Sequence, residues 1–95
     1  MRTENLIHPG EILREEFMSA FNISPASLSN SICVPESRII GIINEKRRIS
    51  TELAIRLGIY FKTGAEFWIN LQSNYDIGVL TSRKYNELSQ IKAMA

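Results

Sequence analysis

Ninety-five residues make one domain with a core but no spare volume for a deep catalytic cleft. Eleven basic against ten acidic residues leave a formal net charge of +1, which excludes a polybasic, histone-like binder. The single cysteine, Cys33, excludes an internal disulfide and favours a reducing compartment. The opening stretch MRTENLIHPGEIL has no apolar run of secretory length, and no segment approaches membrane-spanning length, so the expectation is a cytoplasmic chain with no membrane partner. Charge is unevenly placed. Residues 1–33 carry two basic and four acidic residues, residues 34–62 six and three, and residues 63–95 three and three. The middle third is the positive part, and a local patch of this kind is what DNA binding requires.

The first helix is expected from Pro9 through Phe21. Leu13, Phe17, Ala20 and Phe21 lie at helical spacing, while Glu11, Arg14, Glu15 and Ser19 point away, and the Asn22-Ile23 step ends the element. Ser24 then N-caps a second helix whose first position is Pro25, a residue with no N–H to lose there. Leu28 and Ile32 share its inner face, with Ser29 beside them. After Cys33 and Val34, Pro35 starts a third helix that carries Ile39, Ile42 and Ile43 inward and leaves Ser37, Arg38, Ile40, Gly41 and Asn44 facing out. Two short helices across so tight a turn fit a helix-turn-helix, whose second helix enters the DNA major groove. Spacing alone fits any packed helix pair equally well; the basic tripeptide Lys46-Arg47-Arg48 tilts it towards DNA.

Ser50 or Thr51 caps a fourth helix with Leu53, Ala54, Leu57 and Phe61 on its buried side. Thr63-Gly64-Ala65-Glu66 has the form of a capping box opening a fifth helix that bears Phe67, Trp68, Leu71 and Tyr75. A weaker pattern of Tyr85, Leu88 and Ile91 gives a short C-terminal helix entered through Thr81 or Ser82. No alternating strand pattern of useful length occurs, so the class is all-α. The domain is expected over residues 1–76, followed by a C-terminal extension over 77–95. Catalysis finds no support: His8 precedes a proline at a helix start, where it caps or packs. Cys33 has no histidine or carboxylate constellation and reads as a small buried apolar group, and no metal or cofactor spacing is present.

The pieces HPGEILREEF at residues 8–17, the helix-turn-helix, Lys46-Arg47 and ELAIRLGIYFKTGAEFWINLQSNYD at residues 52–76 together resemble the HigA-type antitoxins. These are a branch of the lambda-repressor-like (Xre, Cro/C1-type) DNA-binding proteins. The resemblance implies a five-helix lambda-repressor-like fold and a homodimer bound to a palindromic operator in its own promoter. It also implies a partner, a HigB-type toxin that is an mRNA endonuclease with a RelE-like fold. The chain departs from that pattern at Cys33 and Glu45, where glycine is usual. It departs again at Glu36, Ile40 and Gly41 on the exposed helix, which bears on operator sequence and affinity.

Arg38 is the expected base contact, because a guanidinium can donate two bonds to guanine O6 and N7; its competing role is a surface ion pair with Glu45. Ser37 and Asn44 suit phosphate or base-edge bonds, Ile40 a thymine methyl group, and Lys46, Arg47 and Arg48 phosphate clamps. Trp68, Leu71 and Tyr75 are expected to build the core and, in part, a dimer interface. Glu11, Glu15 and Glu16, in the acidic third, form a docking face for a basic toxin or an ordinary solvated helix face. Two other readings stand beside the antitoxin: a stand-alone regulator of the same fold, and a helical interaction module with weakened DNA binding.

Overall fold

A computed structural model describes residues 6–94, and every regular element among them is helical. The order is α1 (Pro9–Ile12), a π-helical continuation (Leu13–Met18), α2 (Pro25–Ile32), α3 (Glu36–Ile43), α4 (Thr51–Phe61), α5 (Ala65–Arg83) and α6 (Tyr85–Leu88). The all-α expectation is met. The first helix, α2 and α3 pack together, α4 lies along α5, and their inner faces meet in one core. That core holds Leu13, Met18, Leu28, Ile32, Ile39, Ile42, Ile49, Leu53, Leu57 and Trp68.

Local chemistry explains most boundaries. The Ser24 hydroxyl accepts from the Ser27 N–H and Pro25 occupies the first turn of α2, as expected. Ser50, not Thr51, caps α4, its Oγ accepting from the Leu53 N–H at 3.2 Å. His8 caps α1: its Nδ1 accepts from the Gly10 N–H at 2.9 Å while its ring meets Tyr75 edge-on at 4.9 Å. Burial there pushes the imidazole pKa below its ordinary value despite the opposing pull of Glu45 and Asp76. A neutral ring is also what accepting the Gly10 bond requires.

Three expectations need correction. The first helix ends at Met18 instead of Phe21, and its second half is π-helical, with the Ser19 N–H bonded to the Arg14 carbonyl five residues back. The wider turn brings Leu13 and Met18 onto one face, so Met18 fills the core while Ala20 and Phe21 are exposed. Thr63 does not cap α5. Gly64 holds that position at φ +87°, and the Thr63 hydroxyl donates to the Gly64 carbonyl instead. Finally, α5 runs unbroken through Asp76 to Arg83, so the short C-terminal helix is entered at Lys84 and not through Thr81 or Ser82; α6 buries no side chain.

The two missing glycines have a visible cost. Cys33 and Glu45 each sit in the left-handed region, at φ +61° and +62°, and each ends a helix. Cys33 is exposed, so the expected buried apolar role is also wrong. A side chain in that backbone region costs roughly 1–2 kcal/mol, partly offset by the greater unfolded-state freedom of glycine. Cys33→Gly is therefore expected to stabilise the protein by about 0.5–1 kcal/mol, a rise of some 2–8 °C in Tm for a domain of this size. Thermal melting checks this, and an unchanged or lower Tm would show that the turn carries no such strain.

Candidate nucleic-acid interface

The outer face of α3 is built by its own periodicity. Ile39 and Ile42 are fully buried, which turns Ser37, Ile40 and Asn44 to solvent together with Glu36. Ile43 is half-buried, at the edge of the core. The helix closes in a two-bond cap: the Lys46 N–H donates to the Gly41 carbonyl at 2.8 Å and the Glu45 N–H to the Ile42 carbonyl at 2.9 Å. Two contacts hold α3 to the first helix at this end. Arg14 donates through Nη1 to the Ile43 carbonyl and lies 3.8 Å from the Glu45 carboxylate. Glu45 thus pairs with Arg14, and the alternative in which it pairs with Arg38 does not occur.

The glycine on the exposed face has a local role. A Cβ at Gly41 would lie 2.8 Å from Cδ of Arg47, so the Arg47 stem runs across the bare backbone of α3. Arg47 is thereby held beside the outer face of the helix instead of trailing from the loop. Among the described residues, neither Lys46 nor Arg47 makes an ion pair, and both are exposed.

Arg38 and Arg48 are placed differently from expectation. Arg38 is half-buried, with Nη2 donating to the Ser50 hydroxyl at 2.7 Å, so the start of α4 draws it sideways along the helix surface. It is not sealed in: Arg38, Lys46, Arg47, Arg48 and Ser50 line one open depression at the edge of α3. Arg48 is exposed but engaged. Its Nη1 and Nη2 donate to Oδ1 and Oδ2 of Asp76 on α5, at 3.2 and 2.6 Å. The Arg48 guanidinium holds the Asp76 carboxyl below its usual range. Gln72, almost fully buried, donates to Asp76 Oδ1 at 3.0 Å and accepts the Ile49 N–H at 2.7 Å. Sequence reading assigned no role to Gln72 or Asp76 and gave Ser50 only a helix cap, since Ile49, Arg48 and Arg38, which they respectively bind, lie between 12 and 28 residues away.

The remaining candidates separate. Trp68 is wholly buried in the core of the chain, in contact with Phe17 and Phe67, which leaves it no surface for the dimer contact expected of it. Leu71 and Tyr75 are half-buried, Tyr75 against His8. Of the acidic residues, Glu15 and Glu16 are exposed and Glu11 is half-buried; Glu15 is bonded to Arg14 at 3.0 Å. No group of metal-ligating residues occurs among the described residues, and no helix there is long and apolar enough to cross a membrane.

The fold and the exposed helix have clear counterparts. No family model matches the chain. The solved Pseudomonas aeruginosa antitoxin HigA with the higBA promoter superposes at a TM-score of 0.90 and 42% identity, covering 96% of this chain and 100% of that one. This chain belongs to the HigA family. Among curated relatives, virulence-associated protein I of Dichelobacter nodosus is 44% identical over 71 residues, 75% of this chain and 66% of that protein's length. An uncharacterized HTH-type transcriptional regulator of Haemophilus influenzae is 34% identical over 84 residues, 88% of this chain and 78% of its own length. Of these similarities, one is to an antitoxin solved with promoter DNA and one to an HTH-type transcriptional regulator, and none is to a protein described as an enzyme.

Proposed function

We propose that the chain is a dimeric antitoxin that represses its own operon and neutralises a RelE-like, mRNA-cleaving toxin. The observation that carries the DNA-binding half is the convergence of Lys46, Arg47 and Arg38 at the edge of a helix whose outer face is solvent-exposed. In this reading α3 enters the major groove. Ser37, Ile40 and Asn44 face base edges, Lys46 and Arg47 hold phosphates, and Arg38 exchanges its Ser50 bond for a guanine edge. A second copy covers the exposed apolar residues Ile77 and Leu80 on the rear half of α5. Glu15 and Glu16, with Glu11 beside them, offer the toxin an acidic face remote in sequence from α3. The runner-up is a regulator of the same fold with no toxin; the Haemophilus relative is likewise described as a transcriptional regulator.

Gel shifts on the upstream promoter and on a scrambled duplex, across a salt series, test the DNA-binding roles. Arg38→Ala is expected to weaken operator binding about 5- to 150-fold, the equivalent of one bidentate base contact, with little effect on the scrambled duplex. Arg47→Ala is expected to weaken both and to reduce the salt slope by about 0.9. Equal, small losses for both variants on both duplexes would remove these assignments. Co-expression with the neighbouring reading frame tests the toxin half: growth rescue and co-purification support it, and their joint absence leaves the stand-alone regulator.

A further inference from the structure

Among the described residues, the last of the three consecutive cations after α3 is the one that makes an ion pair, and its partner lies on a different helix. Arg48 presents two N–H donors to the two oxygens of Asp76, the same fork it would present to a phosphate. The next residue, Ile49, is fastened by its backbone N–H to Gln72, one turn earlier on α5, and Gln72 is itself bonded to Asp76. Residues 48 and 49 are therefore clamped to α5 at adjacent points, while Lys46 and Arg47 immediately before them stay exposed. Gln72 is 4% exposed and its bond to the Ile49 N–H is buried, which fixes the amide orientation, while its partner Asp76 stays partly open to solvent.

We propose that Gln72 and Asp76 form a latch on α5 that withholds Arg48 from DNA and sets the position of the Lys46-Arg47 pair against α3. Arg48 is then a positioning residue and not a phosphate contact. The inference rests on the DNA-binding reading above and adds a sign to it: an acidic residue outside the DNA face limits the number of phosphates the loop can neutralise. Each phosphate neutralised contributes about 0.9 to the salt slope, so the slope counts the cations that are free to act. An arginine already neutralised by a carboxylate does not add to that count. The latch trades general affinity for operator preference, because a loop held in one place cannot follow every duplex equally well.

The test uses the full chain, the upstream promoter fragment and a scrambled duplex of equal length, with binding measured from 50 to 200 mM KCl and folding checked by thermal melting. Arg48→Ala is expected to leave the salt slope unchanged, in contrast to the loss of about 0.9 for Arg47→Ala. Asp76→Asn is expected to release Arg48, steepen the slope by about 0.9, and raise binding to the scrambled duplex about three- to tenfold while lowering the operator preference. A merely structural role for Asp76 would weaken binding to both duplexes and leave the slope alone. The latch is overturned if Arg48→Ala flattens the slope as Arg47→Ala does, or if folded Asp76→Asn keeps the wild-type slope. Should Asp76→Asn fail to fold, the comparison of Arg48→Ala with Arg47→Ala decides on its own. A wild-type chain that shifts neither duplex removes the DNA-binding reading and the latch together, whereas failure of the variants alone removes only the latch.

Discussion

Trp68→Ala should destabilise the protein by about 3–5 kcal/mol, the range for truncating a large buried aromatic residue. The indole is fully enclosed by an aromatic cluster, with Phe17 at 5.0 Å, Phe67 at 5.0 Å and Phe61 at 6.2 Å between ring centroids. These neighbours come from the first helix, α5 itself and α4, so the cavity would open where three elements meet. Because Phe17, Phe61 and Phe67 sit on separate helices, they cannot collapse into the space without moving backbone. A domain of this size has a total stability of about 5–14 kcal/mol, so the variant is expected to be unfolded or close to it at 37 °C. Trp68→Phe gives the contrasting result. Among the described residues the indole Nε1 has no hydrogen-bond partner, and phenylalanine removes that orphan donor while keeping most of the ring contact. Urea melts of the two variants check the pair: similar, small losses would mean that the cluster repacks freely and that Trp68 does not anchor it.

Gly10→Ala is expected to cost about 3 kcal/mol through backbone overpacking, and to disturb the DNA face as well. A Cβ at this position would overlap the Ile42 carbonyl oxygen and approach its carbon to 2.8 Å. The obstacle is backbone and cannot rotate aside, so α1 and the end of α3 have to separate. That carbonyl accepts the Glu45 N–H that closes α3, and Lys46 and Arg47 follow directly. Loss of operator binding should therefore exceed what the unfolded fraction explains when binding is measured well below Tm. Wild-type stability with wild-type operator affinity would mean that the close approach of α1 to α3 is dispensable.

The helix-turn-helix was legible because its signals are local. Ser24 and Pro25 mark the start of α2, and the spacing of Ile39 and Ile42 fixes which face of α3 is left outside. The first helix misled for an equally physical reason. Leu13, Phe17, Ala20 and Phe21 satisfy the period of an ordinary helix, but Met18 is apolar too, and a π turn needs only that alternative to shift the register. Thr63 and Glu66 have capping-box spacing, yet Gly64 between them adopts a positive φ that takes the Thr63 side chain out of place. At the candidate interface, residue types were readable and partners were not. Nothing around Arg48 distinguishes it from Arg47 until α5 folds across and brings Asp76 to it, 28 positions along the chain. Arg38 likewise reads as an outward cation until Ser50 is placed beside it.

The helix ends bear on the lifetime of the molecule. Asn22, Cys33, Glu45 and Lys62 all adopt positive φ where a chain selected for durability would use glycine, and only Asn22 is well suited to it. Each such residue raises the energy of the native form a little. A difference of 1–2 kcal/mol multiplies the transiently open population about five- to thirtyfold. Proteases act on that population, so backbone strain at the Cys33, Glu45 and Lys62 turns becomes a handle on how quickly the chain is cleared from a cell.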